Sequence, residues 1–184
     1  ILDIATGTGD VSFEIRKKKC NAQIIGLDYS FKMLQYGRRK FENSNSEGIT
    51  FIQGDGESLP IKDNSVDMIT IAYGIRNFSN FNTAINEFYR VLKPCGTLGI
   101  LEFSQPKSKI YSSIFKFYFH KILPIIGSWI SDSDAYKYLP ESVTEFASRD
   151  ELVKLMESSG FNNCKMMDLT FGTTSIFTGE KNNV

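Results

Sequence analysis

Three aspartates lie near the carboxyl ends of three predicted strands, and this spacing indicates a site for a nucleotide-like ligand. Asp3 lies in the apolar run 1–5 that opens the chain, Asp28 ends the next such run, and Asp55 follows the third. Open α/β sheets bind ligands just outside the carboxyl ends of their strands. Asp28 is placed to bind ribose hydroxyls, and Asp55 can accept a hydrogen bond from an adenine amino group. Considered alone, Asp55 is more simply interpreted as part of a polar turn. The prediction therefore rests on the three acids together.

Glycines in the first strand-to-helix turn strengthen this prediction. Gly7 and Gly9 lie in the run Asp3-Ile4-Ala5-Thr6-Gly7-Thr8-Gly9-Asp10. Glycines at such a turn let the backbone approach a bound nucleotide closely. Asp28 follows about 20 residues later, the separation found between such a turn and its ribose-binding acid.

Two residues distinguish between the ligands that use this layout. Ser12 stands where the dinucleotide pattern has its third glycine, and Asp10 would face a pyrophosphate bound at the start of the helix. S-adenosylmethionine has no phosphate and carries a sulfonium and an ammonium group, which suit an acidic pocket. We therefore predict this cofactor and disfavour an oxidoreductase. Asp10 can equally be a plain helix N-cap.

Composition limits the remaining classes of function. The 184 residues fit a single domain, 1–184, and 21 basic against 21 acidic residues give no net charge. This balance argues against a nucleic-acid partner. The chain has one histidine and three widely separated cysteines, so we predict no metal centre and no disulfide framework.

Strand and helix patterns alternate along most of the chain, which predicts an α/β fold with helices on both faces of a mostly parallel sheet. The predicted strands are 1–5, 22–28, 49–54, 66–72 and 97–103, and the predicted helices are 10–19, 30–43, 81–92 and 149–159. Lys93 to Gly96 form a turn between a helix and the fifth strand. Phe161 to Glu180 read as two strands around Gly172, which predicts a C-terminal hairpin that contributes one antiparallel strand.

The segment 107–138, after the fifth strand, departs from this alternation. Its dense aromatic residues recur at helical spacing, although Pro124 must end or kink a helix. We interpret it as a helical insertion that forms an apolar substrate cap. Ordinary core packing is the alternative, and for any single residue here it is the commoner case.

Several longer motifs resemble the ubiquinone/menaquinone biosynthesis C-methyltransferase family. The similar stretches are 2–10, 69–77, 89–94, 101–106, 119–127 and 136–142, and together they extend over nearly the whole chain. The resemblance implies a Rossmann-like class I methyltransferase that uses S-adenosyl-L-methionine to methylate a ring carbon in quinone biosynthesis. The resemblance also implies N-terminal helices, which we expect to be absent from this chain.

The resemblance also implies a set of site residues. The expected cofactor-binding residues are Asp3, Gly7, Thr8, Gly9, Asp28, Asp55, Gly56 and Ala72. The expected substrate contacts are Phe119, His120 and Tyr136. Ala72 stands where bacterial members often have a serine, and Cys95 replaces a turn glycine.

Arg76 and Asn77 are the predicted catalytic residues. Removal of a hydroxyl proton from a quinol makes the neighbouring ring carbon nucleophilic, and Arg76 could stabilise the developing phenolate. A guanidinium stays protonated in proteins, so a water held by Arg76 and Asn77 is the better base. The intrinsic pKa of histidine suits a base, so His120 is the alternative, although a lone histidine in an aromatic helix is more often structural.

The expected partners follow from the expected substrate. A polyprenyl quinol implies peripheral contact with a membrane, and the assembly is expected to be a homodimer or a quinone-synthesis complex. The expected location is the cytoplasmic face of the bacterial inner membrane or the matrix face of the mitochondrial inner membrane. A methyltransferase for another small apolar molecule and a non-catalytic scaffold are the alternative functions.

Overall fold

The computed structural model describes residues 1–18, 21–42, 47–104, 106 and 149–183. In this part of the chain, seven strands form one sheet on which helices pack. The strands are β1 (Leu2–Ile4), β2 (Ile24–Asp28), β3 (Ile49–Gln53), β4 (Val66–Ala72), β5 (Leu92–Phe103), β6 (Phe161–Leu169) and β7 (Thr174–Lys181). The helices are α1 (Asp10–Lys17), α2 (Phe31–Glu42), α3 (Phe81–Val91) and α4 (Arg149–Ser158), with 3-10 turns at Ile75–Asn77 and Thr170–Gly172.

The strand order is β3-β2-β1-β4-β5-β7-β6. Neighbours from β3 to β5 pair in parallel, whereas β7 runs antiparallel to both β5 and β6. This confirms the predicted sheet, in which a C-terminal hairpin contributes the antiparallel strand. Strands β2 and β3 lie on one side of β1, and β4 and the later strands lie on its other side. The switch point therefore lies between β1 and β4, where open α/β sheets bind ligands.

Helices cover both faces of the sheet, as predicted. Adjacent residues of a strand point to opposite faces. Ile24 packs with Phe13 of α1 and Leu34 of α2, whereas Ile25 packs against the cluster that contains Phe88 of α3. The sheet is thus a central layer between two groups of helices, which is why its parallel strands are almost continuously apolar.

Helix α3 shows how the local sequence sets an element that borders the switch point. The Asn80 side chain accepts a hydrogen bond from the backbone N–H of Thr83 at 3.1 Å and so caps the start of the helix. Ala84, Ile85 and Phe88 are fully buried on one side. This spacing is that of an amphipathic helix that packs on a sheet.

The start of β5 differs from the predicted boundary. Leu92 already pairs with Val66, and the ladder resumes when Thr97 pairs with Met68. The residues between these pairs, 93–96, bulge out of the strand, and Cys95 adopts a left-handed backbone with φ 62°. The predicted turn is therefore a bulge inside β5, which begins directly after α3.

The predicted insertion, 107–138, lies outside the described residues. No helix in the described ranges is both long enough and apolar enough to span a bilayer.

Candidate active site

A cavity of about 450 Å³ opens at the switch point, where β1, β2, β3 and β4 end. This volume falls within the roughly 300–1,000 Å³ that is usual for small-molecule sites. The lining residues are Ile4, Ala5, Leu27, Asp28, Tyr29, Ser30, Gly54, Asp55, Gly56, Glu57, Gly74, Asn77, Phe78 and Ser79. The fold thus brings together Asp28, Asp55, Gly56 and Asn77 from the residues expected at the site.

The turn from β1 to α1 has left-handed backbone at three positions. Ala5, Gly7 and Gly9 have φ angles of 52°, 58° and 81°, a region that favours glycine. Gly9 also has no space for a side chain, since a Cβ there would lie 2.7 Å from the Phe51 ring. The Gly7 backbone N–H donates to Oδ2 of Asp28 at 2.8 Å, which ties the turn to the end of β2.

Asp28 is held with its carboxylate at the cavity wall. Oδ2 accepts the Gly7 N–H, and Oδ1 accepts the backbone N–H of Ser30, also at 2.8 Å. A carboxylate oxygen has about two acceptor positions, so each oxygen retains one for a ligand. A fixed carboxylate with two oxygens available suits the two adjacent hydroxyls of a ribose.

Glu57 joins two loops that border the cavity. Asp55 lies in the loop after β3, and its Oδ1 accepts the backbone N–H of Glu57 at 2.9 Å. Glu57 Oε1 in turn accepts the backbone N–H groups of Ser79 at 2.6 Å and Asn80 at 3.3 Å. The loop after β3, which carries Asp55 and Glu57, is therefore fixed against the segment that precedes α3.

Asp3 lies beneath the glycine turn and is only 1% exposed. Its carboxylate accepts hydrogen bonds from the hydroxyls of Thr6, Ser12 and Thr70 at 2.6, 2.7 and 2.8 Å. Burial raises the pKa of this carboxyl group, and the hydroxyl donors oppose that rise. Asp3 is absent from the cavity lining in the described structure, so its contribution to the site is to hold the turn from below.

The predicted catalytic residues Arg76 and Asn77 lie in the 3-10 turn after β4. Asn77 lines the cavity, whereas Arg76 is not among the described residues that line it. Arg76 directs Nη1 toward the neighbouring strand, where it donates to Oε1 of Glu102 at 2.7 Å and to the carbonyl oxygen of Tyr73 at 2.6 Å. Arg76 Nε is buried and has no hydrogen-bond partner among the described residues.

The interpretation of Asp10 as the N-cap of α1 is wrong. Gly9 holds the cap position, and Asp10 is the first helical residue. The Asp10 carboxylate accepts a hydrogen bond from the Thr8 hydroxyl at 2.6 Å and pairs with Lys40. These partners lower the pKa of Asp10, with the Lys40 hydrogen bond as the largest cause. The expected cofactor-binding residues Thr8 and Ala72 are not among the described residues that line the cavity.

The charges of the cavity decide which cofactor it fits. Asp28, Asp55 and Glu57 line it, and the described lining contains no lysine or arginine. Such a surface suits a ligand that carries sulfonium and ammonium groups and opposes a pyrophosphate. The residues present therefore fit S-adenosylmethionine. Within the described ranges, no group of three or more metal-ligating side chains is placed to hold a metal ion.

Comparison with known proteins decides the family. The model of the ubiE/COQ5 methyltransferase family matches residues 1–181. The chain belongs to this family. The protein named "Ubiquinone/menaquinone biosynthesis C-methyltransferase UbiE" of Geobacter sulfurreducens is 46% identical over 183 residues, which are 98% of this chain and 72% of that protein. The "Demethylmenaquinone methyltransferase" of Thermus thermophilus is 39% identical over 182 residues, 98% of this chain and 82% of that protein.

Solved structures show the same fold for this ubiE/COQ5 family member. Phosphoethanolamine N-methyltransferase 2 of Haemonchus contortus, in complex with S-adenosyl-L-methionine, matches with a TM-score of 0.74 at 14% identity. The match covers 98% of this chain and 48% of that chain. The family and the class I methyltransferase fold predicted from the sequence are confirmed, and the protein is a methyltransferase.

The expected substrate contacts Phe119, His120 and Tyr136 lie outside the described residues, and their roles stay predictions.

Several cavity residues were not singled out from the sequence. Tyr29 and Ser30 directly follow Asp28, and Glu57 lies two residues after Asp55, so proximity to a strand-end acid was an available signal. Phe78 and Ser79 follow no strand-end acid. They reach the cavity because the 3-10 turn after β4 places them there.

Proposed function

We propose that this protein transfers the methyl group of S-adenosyl-L-methionine to a ring carbon of a polyprenyl benzoquinol or demethylmenaquinol. The observation that carries the proposal is the acidic cavity at the switch point, with Asp28 and Asp55 at the ends of neighbouring strands. The names of the relatives from Geobacter sulfurreducens and Thermus thermophilus support the acceptor class.

The cofactor would be held by the ends of the first three strands. Asp28 would accept hydrogen bonds from the ribose hydroxyls, and Asp55 would accept one from the adenine amino group. The backbone at Gly7 has no side chain to keep the cofactor away. When bound, S-adenosyl-L-methionine supplies an electrophilic methyl group on a sulfonium.

The acceptor must be made nucleophilic at carbon. A quinol that loses a hydroxyl proton carries negative charge at the neighbouring ring carbon, which would take the methyl group as the bond from that group to sulfur breaks. Loss of the proton on that carbon would then restore the aromatic ring. We assign the proton to a water held by Asn77 and Arg76, since a guanidinium does not act as a base. The Arg76 charge would stabilise the phenolate oxygen. Positioning and exclusion of water would supply much of the remaining rate.

The chemistry of the acceptor extends the proposal to the protein's surroundings. A polyprenyl tail keeps a quinol in the bilayer, so the protein would contact the membrane peripherally. The corresponding location is the cytoplasmic face of a bacterial inner membrane or the matrix face of the mitochondrial inner membrane. A homodimer or a quinone-synthesis complex is the assembly that we propose with it.

Calorimetry and a methyl-transfer assay test the two halves of this proposal separately. We expect the protein to bind S-adenosyl-L-methionine and not NAD. With methyl-labelled cofactor and a short-tailed benzoquinol or demethylmenaquinol, each tested in phospholipid vesicles, we expect a ring-methylated product from one of them by mass spectrometry, while catechol stays unmethylated. Preference for NAD would contradict the cofactor assignment. Cofactor binding without methylation of either quinol class would contradict the acceptor assignment.

A further inference from the structure

Glu102 is a fully buried acid at the carboxyl end of β5, beside the turn that carries Arg76. Its side chain is 0% exposed, and that of Arg76 is 10% exposed. Glu102 Oε1 accepts the Arg76 Nη1 hydrogen bond at 2.7 Å and the backbone N–H of Phe103 at 2.8 Å. The two side chains form a buried ion pair between β5 and the turn after β4.

Stability alone is a weak reason for this pair. A buried ion pair loses hydration, and its replacement by well-packed apolar residues is often neutral or stabilising. Here the loss of hydration raises the pKa of the Glu102 carboxyl group, while the Arg76 charge opposes that rise. What a buried pair provides instead is one defined geometry for the charged groups.

That geometry concerns the turn after β4, whose Gly74 and Asn77 line the cavity. Arg76 Nη1 is held between Glu102 and the Tyr73 carbonyl, and its guanidinium lies 5.4 Å from the centre of the Phe103 ring. Tyr73 has a left-handed backbone with φ 54°. Its conformation is secured by the Arg76 contact and by a 2.8 Å bond from its N–H to the Leu101 carbonyl.

We propose that Glu102 is a positioning residue for methyl transfer, which acts by fixing the Arg76 guanidinium and the turn 74–77 beside the acceptor. The inference rests on the proposed function, because it assigns Glu102 to the acceptor step. Asp28 lies at the end of β2 and Asp55 in the loop after β3, both away from β5, so we expect the loss of Glu102 to change cofactor affinity far less than kcat.

The primary test is Glu102→Gln, which keeps the shape of the side chain and removes its charge. We expect kcat for quinol methylation to fall about 10- to 100-fold, the scale of a small misplacement in an active site. The Kd for S-adenosyl-L-methionine should stay within about twofold. Glu87→Gln is the control, because it alters a pair of the same 2.7 Å length with Arg90 that is more exposed and lies outside the cavity lining. We expect it to lower the melting temperature and leave kcat unchanged.

A double-variant cycle shows whether Glu102 acts through Arg76. Once Arg76→Ala has lowered kcat, we expect Glu102→Gln to lower it no further. A normal kcat in Glu102→Gln, or losses that multiply in the double variant, would overturn the proposal. If Glu102→Gln does not fold, Glu102→Asp takes its place, because it keeps the charge and withdraws the carboxylate from Arg76. A normal kcat in Glu102→Asp would also overturn the proposal.

An NMR measurement separates this inference from the proposed function. A guanidinium fixed by Glu102 should give separate Nη signals for Arg76 in the cofactor-bound protein, and these should merge in Glu102→Gln. Merged signals in the unaltered protein would overturn the positioning role whatever the acceptor is. Failure of the unaltered protein to methylate any quinol would instead refute the proposed function.

Discussion

Gly74 and Ala5 meet where the turn after β4 approaches the turn after β1. A Cβ on Gly74 would lie 2.4 Å from the Ala5 Cβ, far inside van der Waals contact, and both residues line the cavity. The Gly74 backbone has φ −113°, which other residues can also adopt. Glycine is therefore required here because there is no space for a side chain, and not because of the backbone conformation. Ala5 has φ 52°, a conformation that glycine adopts more readily than alanine.

We expect Gly74→Ala to destabilise the protein by about 1–3 kcal/mol in urea denaturation, the scale of overpacking. Cofactor affinity, measured by calorimetry, should fall with it because the two turns are pushed apart. Adding Ala5→Gly removes the opposing methyl group and should restore most of both. Gly99→Ala is the control, since its Cβ would meet nothing closer than 3.8 Å. Failure of Ala5→Gly to restore stability would contradict this explanation.

Asp28→Ala is expected to cost about 1–3 kcal/mol of cofactor binding, the scale of hydrogen bonds to a charged group. The loss has two sources: the acceptor for the ribose is removed, and the Gly7 N–H loses its partner. Calorimetry with S-adenosyl-L-methionine measures it. Asp67→Asn, which alters an exposed acid paired with Lys93, is the control. Undiminished affinity in Asp28→Ala would remove this residue from the site.

Glu57→Ala should weaken cofactor binding about tenfold, because it releases the loop after β3 from the backbone of Ser79 and Asn80. Glu57→Gln keeps an oxygen at the same position and should retain most of the affinity. Equal affinities for these two variants, measured by calorimetry, would show that the contact between the loops has no part in binding.

Lys181→Met should lower the free energy of unfolding by about 1.5–3 kcal/mol. The Lys181 ammonium donates to the carbonyl oxygens of Tyr89 and Leu92 at 2.7 and 2.8 Å, where α3 ends, and to Asn64 at 2.7 Å. A cation there also complements the helix dipole. Lys93→Met removes a lysine from an exposed ion pair and should cost at most about 1 kcal/mol. Urea denaturation that ranks the two variants in the opposite order would contradict the capping role.

The Glu87–Arg90 pair predicts a dependence of stability on pH. The Arg90 hydrogen bond lowers the pKa of Glu87 below its ordinary value of 4.5. A carboxyl group whose pKa is lowered by folding stabilises the protein above the ordinary value, and this contribution is lost as pH falls through the folded pKa.

Glu87→Gln should therefore be less stable than the unaltered protein by about 1 kcal/mol at neutral pH. The difference should shrink as the pH is lowered below the ordinary glutamate value. Urea denaturation across this acid range measures it. A difference that stays constant over the whole range would show that the charge of Glu87 does not contribute.

The amino-acid sequence by itself determined the fold class and predicted the cofactor class. Alternating strand and helix patterns are local, and so are the glycine turn and the acids at the ends of β2 and β3. Because parallel strands end at one edge of the sheet, Asp28 and Asp55 were expected to converge, and in the structure both line the cavity.

Only the tertiary structure decided what Asp3 and Arg76 contact. Asp3 accepts a hydrogen bond from Thr70, 67 residues away on the neighbouring strand, and Arg76 is paired with Glu102, 26 residues away. Such partners are brought together by the pairing of β1 with β4 and of β4 with β5. A local pattern carries no information about them, because the register between strands emerges only when the whole sheet packs.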